Sequence, residues 1–321
     1  LLGNDPYVLV IGESITDIVV RDGVSVEHPG GSPLNVSFGV SRLGIATTFL
    51  TRLGDDPAGL ALEQHLVAAG VQVVPEPLSG VRSATAQATI DDTGSASYLF
   101  DIDWRLPTIS LAQPSIRGDT ATLVHFGSIG AFLEPGASEV EGLIATAALR
   151  SLVTYDPNIR PQLIGSRNSA RARIESHLRL SDVVKASDED IEWLYPGAKP
   201  REIAQTWLEL GPSVVVITRG SEGSFALGRG GVSSELPSRK VTLVDTIGAG
   251  DSFMAGLIFG LVNLKAAHSD SGRRVPEFTN DDLATLLSIA TDCGAITVSR
   301  AGAMPPTYDE LQAGTKGQLA R

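Results

Sequence analysis

Val8-Leu9-Val10-Ile11-Gly12 is a run of apolar side chains with no polar alternation, closed by glycine. A strand with one face in water alternates apolar and polar residues. One that is apolar throughout must be covered on both faces, as in a parallel sheet between two layers of helices. Short strand-like runs recur at 46–51, 71–74, 121–126, 152–155, 182–185, 214–218 and 224–227. Helical signals fill the gaps. Ser32-Pro33 supplies a capping residue and a first-turn proline for a helix that runs to Leu43 and stops at Gly44. Further helices are expected at 57–69, 138–149, 169–178, 188–194, 200–210, 249–264 and 281–298. The alternation predicts an α/β fold, a doubly wound and mostly parallel sheet flanked by helices, with ligands at the carboxyl ends of its strands.

Two stretches depart from that rhythm. Strand-like segments 15–20 and 24–28 flank Asp22-Gly23, and 83–90 and 95–102 flank Asp91-Asp92-Thr93-Gly94. Each reads as a half-exposed antiparallel hairpin. They predict a small β-sheet lid, from segments 13–31 and 83–105, inserted in a single domain spanning residues 1–321. The polar stretch 265–277 reads as an exposed loop.

Charge and motif content exclude several classes. A net charge of −12 leaves no basic face for nucleic acid. The lone cysteine, Cys293, cannot form an internal disulfide, fits a reducing compartment, and sits among Ala290, Ala295 and Ile296 as a small buried residue would. No charged-then-apolar leader and no bilayer-length apolar run is found, so a cytoplasmic protein is expected, with no membrane partner. The P-loop signature is missing, and no G-x-G-x-x-G follows the first strand, which argues against a dinucleotide-dependent oxidoreductase. The five histidines show no chelating spacing. Gly127-Ser128-Ile129-Gly130 lacks the spacing of a hydrolase nucleophile elbow.

The chemistry concentrates in Val244-Asp245-Thr246-Ile247-Gly248-Ala249-Gly250-Asp251, followed by an apolar helix. Gly248, Ala249 and Gly250 are small enough for backbone N–H groups to converge on an anion, and the helix start adds positive potential. Asp251 then stands beside an anion cradle. A base next to a hole for developing negative charge suggests phosphoryl transfer to a hydroxyl; the plainer reading is a glycine-rich turn capped by Asp251. Gly30-Gly31-Ser32-Pro33-Leu34-Asn35 opens another helix, and Asp17 lies in the first lid strand. A carboxylate and an amide so placed suit a polyol; taken alone, they read more simply as a turn carboxylate and a helix-start asparagine. Asp156-Pro157-Asn158-Ile159-Arg160 follows one strand and Arg219-Gly220-Ser221-Glu222-Gly223 joins two others, its open backbone suited to phosphates. Lys185-Ala186-Ser187-Asp188-Glu189-Asp190 ends a strand, with Ser187 placed to cap the next helix.

Together these segments resemble the ribokinase-like (PfkB) family of carbohydrate kinases, from Val8 to about Pro306. Two motifs carry the resemblance: Gly30 to Asn35 continuing through Leu43-Gly44, and Asp245-Thr246-x-Gly248-Ala249-Gly250-Asp251-Ser252-Phe253. The resemblance implies ATP-dependent phosphorylation of a sugar, with Asp251 as general base and Gly248, Ala249 and Gly250 as the anion hole. Asp17, Gly31 and Asn35 would hold the sugar, with Tyr98 and Phe100 in the lid. Lys185, Ser187, Thr218, Arg219, Gly220 and Gly223 would lie along the nucleotide. Asp245 would help ligate a monovalent cation such as K⁺ with backbone of residues 290–302, and Mg²⁺ is expected on the triphosphate. The family's Asn-x-x-Glu element reads Ser187-x-x-Asp190 here; the shorter carboxylate reaches less far, so a Mg²⁺ contact from Asp190 is expected through water.

Asp156, Asn158 and Arg160 are similar to the fructokinase and 2-keto-3-deoxygluconate kinase branches and would face the acceptor. The implied acceptor is fructose, then a 2-keto-3-deoxy sugar acid, then a nucleoside, since aromatics make up only 5% of the chain. A catalytically silent sugar-binding regulator is the reading from another class; the intact Asp251 and glycines speak against it. Open lid edges predict a homodimer formed through the lid.

Overall fold

β1 (Tyr7–Ile11) is buried along its whole length in the computed structural model. Leu9 and Ile11 join one apolar cluster, Val8 and Val10 another, the two-sided burial that an all-apolar strand requires. The structure describes residues 6–21, 24–90, 96–106, 109–113, 116, 121–264 and 277–319. From β1 the chain leaves for a hairpin, β2 (Ile15–Arg21) and β3 (Val24–Gly30), then returns through α1 (Ser32–Arg42) to β4 (Ala46–Leu50). It continues as α2 (Pro57–Ala68), β5 (Gln72–Val74) and a second hairpin, β6 (Ala84–Ile90) and β7 (Ala96–Asp101). Thereafter strand and helix alternate: β8 (Leu123–Gly127), α3 (Gly136–Ala147), β9 (Leu152–Asp156), α4 (Arg167–Leu180) and β10 (Val183–Ser187). Then come α5 (Asp188–Leu194), α6 (Pro200–Leu210), β11 (Val214–Thr218), β12 (Ser224–Gly228) and β13 (Ser233–Leu236). Among the described residues three further helices follow: α7 (Ala249–Asn263), α8 (Asn280–Val298) and α9 (Tyr308–Leu319).

The main sheet has nine strands in the order β13-β12-β11-β10-β9-β8-β1-β4-β5. It is parallel from β11 through to β5, and antiparallel where β12 and β13 are added. The order turns back between β1 and β8, since β1 pairs on one side with β4 and on the other with β8. Buried residues of α1, α2, α7 and α8 cover one face, and those of α3 to α6 the other. The fold is thus the doubly wound α/β sheet that the apolar runs predict. The two hairpins form a separate four-stranded sheet, β3-β2-β6-β7, joined by a parallel pairing of β2 with β6 that runs from Ile15↔Ala84 to Arg21↔Ile90.

α7 is buried from Ser252 to Val262 and packs at very short range on both sides. A side chain added at Gly39 of α1 would meet the Ala255 Cβ at 2.8 Å, and one at Gly256 would meet the Ala290 Cα and Cys293 Sγ of α8 at 2.9 Å. Cys293 is buried in this contact, its thiol pushed up to about 12 by burial and by Asp292.

The structure differs from the expectations in three places. Ser32 is the first residue of α1, not its cap; Gly31, at φ 97, takes the cap position without a side-chain bond. β13, with Ser233, Ser234 and Glu235, has no apolar run to announce it, and is visible only as an edge partner of β12. α9 is largely polar and was not expected. The hairpin tips at 22–23 and 91–95, and the loop expected over 265–277 except Glu277, lie outside the described residues. Among the described residues no helix is long and apolar enough to cross a membrane.

Candidate active site

A cavity of about 700 Å³ opens where the carboxyl ends of β1 and β8 to β11 face the small sheet and the start of α7. This is the crevice at which open α/β sheets bind ligands, next to the strands where the order turns back. Gly248, Ala249, Gly250 and Asp251 form one wall, Asp17, Gly31, Ser32, Asn35 and Phe100 another.

Asp251 sits in the first turn of α7 and is held by α1. Ser32 Oγ donates to its Oδ1 at 2.6 Å, and Asn35 Nδ2 donates to its Oδ2 at 2.8 Å. The start of α1 has no side-chain cap because Gly31 holds the cap position, which leaves the Ser32 hydroxyl to Asp251. Both motifs recognised in the sequence therefore meet on one carboxylate. Gly248 caps α7 in the left-handed region, φ 73, and a Cβ there would lie 2.5 Å from that of Ala303, so glycine is required twice over. The adjacent helix terminus contributes about half a positive charge toward the cavity.

Asp17 enters from β2. Burial pushes its carboxyl up to about 6, while Arg160 and His28 pull it down and Asp251 pushes it up. Gly30 on the paired strand leaves it room, since a Cβ there would lie 2.0 Å from Asp17 Oδ2. Asn158 and Arg160 also line the cavity. Asn158 adopts φ 38, and the Nη1 of Arg160 folds back onto its own loop, donating to the Asn158 side-chain oxygen at 2.7 Å and to the carbonyls of Asn158 and Ile159.

Asp156 does not reach the cavity surface. It is 1% exposed and takes a 2.6 Å bond from Lys185 Nζ, whose stem comes from β10. Burial pushes the Asp156 carboxyl up, against the pull of Lys185. For Lys185 burial works against the charge, but Asp156, with Asp190 and Asp251, raises its affinity for the proton. Lys185 does line the cavity, its Nζ 3.7 Å from where a Gly250 side chain would begin, so a cation stands against the cradle. His125 lies behind, bonded to Thr154 and driven to about 3 by burial and by Lys185.

Ser187 and Thr218 line the cavity as well. Ser187 caps α5 in a reciprocal box with Asp190, whose Oδ2 accepts from the Ser187 amide while its Oδ1 accepts from that of Ile159. Both Asp190 oxygens are thus occupied by backbone. Tyr98, Arg219, Gly220, Gly223 and Asp245 stand outside the cavity wall. Tyr98 is exposed and stacked on Phe100. Arg219 pairs with Glu235 and packs over Phe225. Gly220 and Gly223 bound the turn into β12, both at positive φ. Asp245 accepts from the amides of Ile247 and Gly302, which ties the start of the glycine motif to the loop after α8. Among the described residues no cluster of three or more His, Cys, Asp or Glu side chains is arranged to hold a metal ion.

Sequence reasoning missed Ser32, Glu13 and Ser128 as cavity residues. The signal for Glu13 was present: a carboxylate directly after Gly12, at the end of a fully apolar strand, is at the ligand end of the sheet. In the sequence Ser128 stands out only within Gly127-Ser128-Ile129-Gly130, a turn without nucleophile-elbow spacing.

The sequence pattern described as pfkB family carbohydrate kinase matches residues 6–310. A fructokinase of Rhizobium leguminosarum bv. trifolii is 35% identical over 260 residues, 79% of each chain. One from Escherichia coli is 32% identical across 95% of this chain and 98% of its own. Among solved structures, a fructokinase from Xylella fastidiosa with bound ATP superposes with a TM-score of 0.79 at 25% identity, covering 98% of this chain and 99% of that one.

The buried Lys185–Asp156 pair gives a stability prediction. Asp156→Ala leaves an ammonium without its counterion and is expected to cost about 3–5 kcal/mol. The double variant Asp156→Leu/Lys185→Met is expected to cost much less. Urea unfolding of the two variants and the wild type checks this; equal losses in both would refute the pairing as the cause.

Proposed function

Since the chain belongs to the pfkB family of carbohydrate kinases and is a sugar kinase, we propose that its cleft passes the γ-phosphoryl of ATP to a hydroxyl of fructose. The observation that carries this reading is Asp251, held by Ser32 and Asn35 between the polyol wall and the glycine cradle. In the reaction the acceptor hydroxyl gives its proton to Asp251 as its oxygen forms a bond to the γ-phosphorus. The bond from that phosphorus to the bridging oxygen breaks, and ADP leaves with the electron pair. The cradle amides and the Lys185 ammonium face the charge that spreads over the transferring group, where prearranged donors contribute most. Ser187 and Thr218 extend that wall toward the nucleotide.

Mg²⁺ would neutralise triphosphate charge. With both Asp190 oxygens accepting from backbone amides, Asp190 would reach the ion through water, which suits an ion bound mainly by phosphates and water. A K⁺ ion beside Asp245 would have to draw on backbone carbonyl oxygens for most of its shell.

Charge supports fructose over a sugar acid. Glu13, Asp17, Glu189, Asp190 and Asp251 place five carboxyl groups on the cavity wall, against Lys185, paired with Asp156, and Arg160, whose Nη1 is engaged by its own loop. A neutral polyol finds acceptors for its hydroxyls there, whereas a carboxylate substrate meets like charge. The relatives named fructokinase point the same way. The lid edges are open at β3 and β7, with Val24, Val26, Tyr98 and Leu99 exposed, which supports pairing of two lids in a homodimer.

Three measurements test these statements. ADP release with Mg-ATP, with and without K⁺, is expected to give the highest kcat/KM on fructose in a panel with 2-keto-3-deoxygluconate, ribose and nucleosides; a preference for the sugar acid would overturn the charge argument. Asp251→Asn is expected to lower kcat by on the order of 10²–10⁴, and near-normal turnover would remove Asp251 as base. Light scattering at micromolar concentration is expected to give a dimer mass; a monomer mass counts against lid pairing.

A further inference from the structure

Ser128 has a backbone that suits glycine better than serine. It follows β8 at φ 52 and ψ −153, a region that glycine enters freely and other residues avoid. Glycine stands on either side, at 127 and 130, yet this position keeps a hydroxyl. The turn is held from three directions. Ser128 N–H donates to the Asp156 carbonyl at 3.0 Å, Trp104 Nε1–H to the Gly130 carbonyl at 2.9 Å, and Gly130 N–H to Glu13 Oε2 at 2.7 Å. A strained residue persists where its surroundings over-determine it, and such residues gather at functional sites.

Here the strained turn puts Ser128 on the cavity wall, with its hydroxyl toward Glu13. The two residues follow β8 and β1, the strands between which the sheet order turns back. Glu13 is 1% exposed and its Oε1 accepts no hydrogen bond. Burial pushes its carboxyl up to about 7, while the amides of Glu13 and Gly130, the Ser128 hydroxyl and Arg160 pull it down. Neither residue takes part in the phosphoryl transfer described above.

From this geometry we infer that Ser128 is a specificity-determining residue for the acceptor, its hydroxyl meeting a hydroxyl of the bound sugar, and that Glu13 is the positioning residue that orients it. The inference rests on the reading of this cleft as a sugar site. It accounts for the serine: glycine would relax the turn but present nothing to the substrate. Glu13 acts from behind, one oxygen fixing the turn through Gly130 and the rest of the carboxyl set against the Ser128 hydroxyl.

The opposed effects on stability and recognition give the test. Ser128→Gly is expected to melt at or above the wild-type temperature while KM for the preferred sugar rises about three- to tenfold, the size of one hydrogen bond. KM for ATP and kcat should stay within about twofold of wild type on the same scale. Ser128→Ala, which keeps the strain and loses the hydroxyl, should show the same rise in sugar KM without the gain in melting temperature. Glu13→Gln, which retains an acceptor for Gly130, should raise sugar KM by a smaller factor. A deoxy analogue lacking the contacted hydroxyl should bring wild type and Ser128→Gly to the same KM. An unchanged sugar KM in Ser128→Gly, or equal rises for sugar and ATP, would overturn the inference. If fructose is not the acceptor, the wild type will prefer another sugar, and the same comparison on that sugar decides the role of Ser128 separately.

Discussion

Two hydrogen bonds, from Ser32 and Asn35 to Asp251, join the start of α1 to the start of α7 and give the cleft its shape. They require those helix ends to lie side by side, which depends on how closely the helices pack. Gly39 against Ala255, and Gly256 against Ala290 and Cys293, let α7 sit between α1 and α8 at distances no larger side chain permits. A core packed this tightly does not deform gradually, so a methyl added between the helices moves the carboxylate as well as the helix. The placement of Asp251 and the packing of this face of the sheet are a single constraint.

Much of this was legible in the chain. The all-apolar run at Val8 to Ile11 implied a sheet covered on both faces, and burial of every residue of β1 follows from it. The glycine motif ahead of α7 and the Gly30-Gly31 motif ahead of α1 both border the cavity, as small residues before an apolar helix suggest. Legibility ended where function depends on contacts between distant residues. Ser32 reads locally as a cap; only the fold brings Asp251 to it. Asp156 reads as a free carboxylate at a strand end, yet β10 runs beside β9 and supplies Lys185 to bury it. Ser128 carries no local signal at all, since its unusual backbone comes from Glu13, Trp104 and Asp156. The strand β13 was invisible because an edge strand covered on few sides needs no apolar run.

The electrostatics of the cleft are divided between its two ends. On the polyol side stand carboxyl groups whose burial raises their proton affinity, Glu13 and Asp17. On the cradle side stand the α7 terminus and the Lys185 ammonium, kept charged by Asp156. Asp251 lies at the boundary. A neutral acceptor and an anionic donor would each find complementary surroundings, and an exchange of places would put like charges together.

The pairing of β2 with β6 has a consequence for how the protein comes into being. Ile15 lies beside Ala84, and everything from α1 through β5 intervenes. A hairpin closes with its own tip, but this join closes only when a long intervening segment has already found its place, and such contacts form slowly because the chain entropy is lost before they are made. During synthesis the first hairpin must wait, with one edge bare, until the second has left the ribosome. The small sheet beside the cleft is therefore held together by a join between segments distant in the chain, the kind of contact whose closing entropy must be met before it contributes stability.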